Sequence, residues 1–273
     1  MIPAPFDYEV AESAEQAVEL LGSREDAKLL AGGHSLLPLL RLRFVRPALL
    51  VDISGIADLR YVRDAGDRLA IGALSRHRDL QTDPLLQEHC PIVSHTAGLV
   101  GDPQVRHRGT IGGSVAHGDP ASDLPTVLVA LDAELIVTGP EGERSISAAT
   151  CFQGVFETVI GPREVLTEIR VPKLGESGWS YVKFHRRAQD WATVGVAAVV
   201  NGGARIALTS MGPTPVRARA AEEAFASGGA EGAAAAADEG ADPPSDTAAT
   251  AEFRRHLARV LTGRALEEAV SRR

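Results

Sequence analysis

Cysteine is almost absent: Cys90 and Cys151 are the only two in a chain of 273 residues. An iron–sulfur cluster or zinc site held by four cysteines therefore cannot sit on this chain and, where one is needed, belongs to another. Two isolated thiols fit a reducing, cytoplasmic compartment better than a disulfide scaffold. No stretch approaches the ~18 apolar residues of a membrane span, and the opening MIPAPFDYEVAES lacks the basic flank and apolar core of a signal peptide. A soluble protein is expected. Positive charge is not in excess either, with 28 Lys and Arg against 36 Asp and Glu. The acidic surplus lies between Ala220 and Phe253, a segment holding no Lys or Arg, so the rest of the chain is balanced. Without a basic face there is no electrostatic ground to expect nucleic acid. Also missing are the G-x-G-x-x-G fingerprint, the G-x-x-x-x-G-K-[ST] loop and the hydrolase nucleophile elbow, since no glycine stands two residues beyond Ser35. The histidines are scattered, and His89-Cys90…His95 lacks zinc spacing, so no metal site is expected.

What is present reads as α+β. With 44% hydrophobic residues the chain is long enough for about two compact units. Ser13-Ala-Glu-Gln16 is a capping box that predicts a short amphipathic helix over residues 13–21, stopped by Gly22. Apolar runs at Lys28–Ala31 and Ala48–Ile53 read as buried strands, and Asp64–Asp67 and Gly139–Gly142 read as hairpin turns. Helices are expected after Ser75, after Asp83-Pro84 and near Ile92–Val100. Four late strands, Val165–Val171, Ser180–His185, Thr193–Val200 and Arg205–Ser210, are expected to form one antiparallel sheet. A boundary falls near Pro172–Gly178. The Ala/Gly-rich stretch Ser227–Thr250 is expected to be loosely ordered, and Phe253, Leu257, Leu261 and Ala265 mark a final helix locked onto the sheet.

Two glycine-centred segments carry the chemistry: Ala31-Gly-Gly-His-Ser35, and Thr110-Ile-Gly-Gly-Ser114 ahead of His117-Gly-Asp-Pro-Ala-Ser-Asp123. Successive glycines can take positive φ and turn several N–H groups toward one anion, while Ser35, Thr110 and Ser114 add hydroxyls. Two such loops can clamp a diphosphate without any bulk positive charge. Asp119 serves equally well as a helix cap or as an acceptor for ribose or flavin groups, and Asp123 leans toward the second role.

These loops, with Pro3–Tyr8, Glu164–Pro172, Tyr181–Lys183 and Asp190–Ala192, closely resemble the FAD-binding medium subunits of the molybdenum hydroxylases, those of the aerobic carbon monoxide dehydrogenase type above all. The resemblance implies a PCMH-type FAD-binding fold of two α+β subdomains over residues 1–175, divided near 57, followed by a smaller C-terminal α+β domain with an antiparallel sheet over 176–273. It assigns FAD contacts to Leu29, Leu30, Ala31, Gly32, Gly33, His34, Ser35 and Leu36, to Thr110, Ile111, Gly112, Gly113 and Ser114, and to Asp123, Leu166 and Lys183. A lysine near the flavin's polar edge would stabilise negative charge formed on reduction; without the resemblance, Lys183 reads equally well as an exposed strand lysine. No catalytic residue is expected on this chain. The resemblance implies electron transfer from [2Fe-2S] clusters on a small subunit, fed by a molybdenum cofactor on a large one, through FAD to an external acceptor. The expected assembly is a dimer of heterotrimers, with Arg41, Arg43, Arg46, Arg76, Arg78, Arg106 and Arg108 available as a docking surface. A self-contained flavin oxidase and a non-catalytic assembly module are the alternative classes.

Overall fold

The computed structural model describes residues 2–273. Strands β1 (Asp7–Val10), β2 (Ala27–Leu30) and β3 (Leu49–Asp52) form a parallel sheet in the order β1-β3-β2, with α1 (Ala14–Ser23) and α2 (Leu36–Leu42) in the connections. The α1 cap keeps half of the box its sequence specifies: Ser13 Oγ accepts from the Gln16 amide at 3.1 Å, while the Gln16 side chain accepts at 2.7 Å from the amide of Glu12, one residue ahead of the cap. Ala17, Val18 and Leu21 then bury against Leu49 and Val51.

A second sheet begins with the hairpin β4 (Val62–Ala65) and β5 (Arg68–Gly72), turning at Gly66 with φ +85°. Six short helices follow: α3 (His77–Thr82), α4 (Pro84–His89), α5 (Pro91–Leu99), α6 (Pro103–Arg108), α7 (Ile111–His117) and α8 (Asp123–Ala130). The hairpin β6 (Glu134–Gly139) and β7 (Gly142–Ser147) comes next, then α9 (Ala148–Cys151), the small pair β8 (Phe152–Gly154) and β9 (Glu157–Thr158), and β10 (Val165–Pro172). The sheet order is β4-β5-β10-β6-β7, antiparallel throughout. Val165–Val171 therefore does not join the late strands as its position suggests. It lies in the middle of this sheet, with Ile169 between Ile71 and Leu135: Val165, Ile169 and Val171 are fully buried, and the buried Glu168 is matched by Tyr61, Arg63 and Arg170.

The third sheet, β11 (Gly178–Phe184), β12 (Val194–Asn201), β13 (Gly203–Thr209) and β14 (Val216–Arg217), is an antiparallel meander. Helices α10 (Arg219–Ala235) and α11 (Ala251–Ser271) complete the chain, α11 lying on β11 and β12. The stretch Ser227–Thr250, expected to be loose, is instead docked on α11. Ala233, Ala237 and Ala241 are buried, Asp238 pairs with Arg259 at 2.6 Å, and Asp246 pairs with Arg254 at 2.8 Å. Alanine allows the close approach, and the carboxylates of this segment meet basic residues of the next helix. On the opposite face of the third sheet, α8 packs on β12 and β13, and Leu124 and Leu128 share one core with Tyr181, Ala197 and Ala207. No helix among the described residues is long and apolar enough to cross a membrane.

Candidate functional site

The first glycine loop links β2 to α2. Gly33 has φ +78°, and the amides of Gly32, Gly33, His34 and Ser35 donate to no acceptor among the described residues. Gly32, Gly33 and His34 border a cleft of about 500 Å³ whose lining also includes Leu37, Arg41 and Arg108. A run of free amides beside a guanidinium is a site for an anion. The loop also presses on the chain leading into the second one: a β-carbon on Gly32 would lie 2.3 Å from the Arg108 carbonyl oxygen and 2.9 Å from Gly109 Cα. The two segments, about 75 residues apart in sequence, thus meet at one place.

The second segment works differently from its expected form. Gly112 and Gly113 take no positive φ; Thr110 is the N-cap of α7, and its Oγ1 accepts from the Gly113 amide at 3.1 Å. The Ile111 amide donates to Ser75 at 3.1 Å and that of Gly112 to Ala73 at 2.9 Å. Among these amides only that of Thr110 lacks an acceptor among the described residues. What this segment offers is therefore the Thr110 amide and the Ser114 hydroxyl rather than a ring of free N–H groups. Glycine at 112 serves close packing, since a β-carbon there would sit 2.7 Å from the Ala73 oxygen. Behind it stands His77, which sequence reasoning missed. Its amide donates to Gly109 at 3.0 Å, and its Nε2 lies 3.3 Å from Ser114 Oγ. Burial lowers its pKa to about 4, helped by His34 and Arg106 nearby. A single histidine at the start of a short helix gives no sequence signal; only the fold sets it beside Ser114.

Asp123 and Lys183 meet directly in a buried pair at 2.8 Å. Lys183 Nζ also donates to the Leu99 carbonyl at 3.0 Å and the Asp190 carbonyl at 3.4 Å, so all three ammonium protons have acceptors. The Tyr181 hydroxyl donates to the other Asp123 oxygen at 2.6 Å. Burial pushes the Asp123 carboxyl up, opposed by Lys183 and Tyr181, and pushes the Tyr181 phenol well up, so the hydroxyl stays protonated. Lys183 is thus no exposed strand lysine. Asp119 caps no helix; its carboxylate accepts from the Ala121 amide at 2.8 Å within the turn. Leu166 is buried in β10, and with Leu29–Ala31, Ser35, Leu36, Thr110–Ser114, Asp123 and Lys183 it lies outside the cleft lining, to which the expected contacts contribute Gly32, Gly33 and His34.

A second cleft, of about 310 Å³, opens between α1 and the face of the five-stranded sheet. Its buried Glu168 is engaged by Tyr61, Arg63 and Arg170. No group of His, Cys, Asp and Glu suited to a metal ion occurs among the described residues.

Residues 4–174 match the family model "FAD binding domain in molybdopterin dehydrogenase", and residues 179–269 match "CO dehydrogenase flavoprotein C-terminal domain". The chain is 41% identical to the carbon monoxide dehydrogenase medium chain of Hydrogenophaga pseudoflava, covering 100% of this chain and 99% of the relative. It is 40% identical to subunit alpha of the 6-hydroxypseudooxynicotine dehydrogenase complex of Paenarthrobacter nicotinovorans, covering 100% and 97%. A solved structure of the Hydrogenophaga pseudoflava carbon monoxide dehydrogenase superposes with a TM-score of 0.96 at 42% identity, covering 100% of this chain and 99% of the other.

Proposed function

The chain belongs to the FAD-binding medium chains of the molybdenum hydroxylases, and from that membership we propose that it carries electrons from a partner's [2Fe-2S] clusters to an external acceptor. The carrying observation is the row of unpartnered amides from Gly32 to Ser35, beside Arg108 and pressed against the entry to α7. These residues suit the diphosphate of FAD, a dianion that directed donors hold well in an otherwise balanced protein. Bound FAD supplies the exchange between one-electron and two-electron transfer.

The rest follows from the chain's own groups. Gly32, Gly33, His34 and Ser35 hold phosphate oxygens with their amides, flanked by Leu29–Ala31 and Leu36; Ser114 and the Thr110 amide close the other side, in the segment completed by Ile111, Gly112 and Gly113. Leu166 gives an apolar wall. Lys183, its protons already committed, acts on the flavin through its field rather than by a direct bond, and Asp123 fixes its position. Residues 1–175 hold the cofactor and residues 176–273 cover it. Arg41, Arg43, Arg46, Arg76, Arg78, Arg106 and Arg108 form no ion pair with any described carboxylate, which supports a docking face for the small iron–sulfur subunit. The molybdenum centre resides on a large subunit, and the complex is a dimer of heterotrimers in the cytoplasm. Near-equal identity to subunits of two enzymes named for different substrates favours a substrate site on that large subunit.

The test is purification with co-expressed partners, cofactor analysis, and anaerobic addition of candidate substrates. Yellow protein that releases FAD on denaturation, and bleaches only with the partners present, is expected. Protein that stays colourless after added FAD sinks the proposal, and flavin retained on the denatured chain would transfer it to the oxidase class.

A further inference from the structure

Resting on the FAD reading, we propose that His77 is a positioning residue for the cradle: its neutral imidazole donates from Nε2 to Ser114 Oγ and thereby directs the Ser114 proton outward to a phosphate oxygen. Three observations carry this. His77 is 3% exposed, Nε2 is 3.3 Å from Ser114 Oγ, and Nδ1 has no partner among the described residues. A neutral imidazole has one N–H and one bare nitrogen. Placing the proton on Nδ1 would bury a donor with nothing to receive it, whereas placing it on Nε2 makes a hydrogen bond and leaves only a lone pair unmatched. Unpaired buried acceptors are tolerated better than unpaired buried donors, so the Nε2 tautomer is selected. With its oxygen already accepting from His77, the Ser114 hydroxyl cannot turn its own proton toward the ring.

The ring is held for this task from two directions. Its own amide is bonded to the Gly109 carbonyl at 3.0 Å, and a β-carbon at Gly109 would meet imidazole Cδ2 at 2.9 Å and Nε2 at 3.1 Å. Glycine at 109 therefore admits the ring beneath the segment that Gly32 touches. His77 so links the entry of the second segment to the one side-chain hydroxyl it offers.

FAD titration of the full chain tests the inference on wild type, His77→Gln, His77→Phe, Ser114→Ala and the His77→Phe/Ser114→Ala double variant, with circular dichroism to check folding. Gln can donate from nearly the Nε2 position; Phe fills the space without a donor. His77→Phe is expected to weaken FAD binding about tenfold, the worth of one hydrogen bond. The same change should cost little more in the Ser114→Ala background, and His77→Gln should bind nearly as wild type. Nitrogen-15 shifts of the His77 ring, read without FAD, should report a proton on Nε2. Equal losses from His77→Phe in both backgrounds, failure of Gln to rescue a folded chain, or a proton on Nδ1 would each overturn the proposal. A folded wild-type chain that binds no FAD overturns the cofactor reading instead, while the tautomer measurement still judges the His77–Ser114 bond.

Discussion

A methyl group at Gly32 would meet the Arg108 carbonyl oxygen at 2.3 Å, and no side-chain rotation relieves a clash with backbone. Gly32→Ala must therefore part the two segments, and FAD titration should show affinity lowered about a hundredfold, the scale of ~3 kcal/mol for overpacking. Gly203→Ala is the control: nothing lies within 4 Å of its added carbon, and binding should be unchanged. His77 gives a second expectation at this scale, in pH. Its pKa is 6.5 in the unfolded chain and about 4 in the native one. Above pH 6.5 both states are neutral and no linkage arises. Between 6.5 and 4 the unfolded chain takes up a proton that the native chain refuses, so stability falls as pH falls, by about 3 kcal/mol across the window. Below pH 4 both are protonated and the loss ends. Urea unfolding should show wild type losing this much more stability than His77→Gln between pH 7 and pH 4. His95 and His117, also lowered by burial, add to the slope of both proteins.

Among the elements, α11 meets the backbone of β11 at Gly178, where a β-carbon would lie 1.8 Å from the Ala269 carbonyl oxygen. Gly178→Ala should lift the helix from β11 and cost about 1–3 kcal/mol, read as a lower urea midpoint. Elements with local causes were legible in the sequence. Ser13 caps α1 through a neighbour three residues on, and Gly66 and Gly142 take positive φ inside the hairpins that their motifs announce. Elements fixed by distant partners were not. Nothing in Val165–Val171 names β5, about a hundred residues earlier, as its neighbour. The Ala/Gly composition of Ser227–Thr250 likewise conceals Arg254, Arg255 and Arg259, which bind Asp246 and Asp238 from the next helix. Hydrogen exchange near Ala233–Ala241 should accordingly be slow, and Asp238→Ala should speed it without altering exchange in β5 or β10. The cradle divides in the same way: Gly33 takes the positive φ its loop suggested, while Thr110 draws Gly112 and Gly113 into a helical first turn.

At the scale of the molecule, the second sheet with its helices and the third sheet are joined by a shared apolar core and by the polar group of Asp123, Lys183, Tyr181, Thr126 and Thr209. Lys183 entered the sequence reading as a cofactor contact through resemblance alone, and Asp123 through its turn as well; their pairing across α8 and β11 could not be read from positions 60 residues apart. The pairing gives them a role that needs no cofactor. Lys183→Met leaves the Asp123 carboxylate, 8% exposed, without its cation, and loss of one partner from a buried ion pair costs about 3–5 kcal/mol. Asp123→Asn in the same chain removes the stranded charge while keeping a group that Tyr181 can bond, so the double variant should recover much of that stability. The decisive measurement is urea unfolding of the chain freed of flavin. A pair that joins the two parts of the molecule weakens the flavin-free protein when broken, whereas a lysine serving only the flavin would leave its midpoint where it was. In the same Lys183→Met variant, reloaded with FAD, the proposed action of the ammonium's field on the flavin predicts a lower reduction potential, and an unchanged potential would leave Lys183 with the structural role alone.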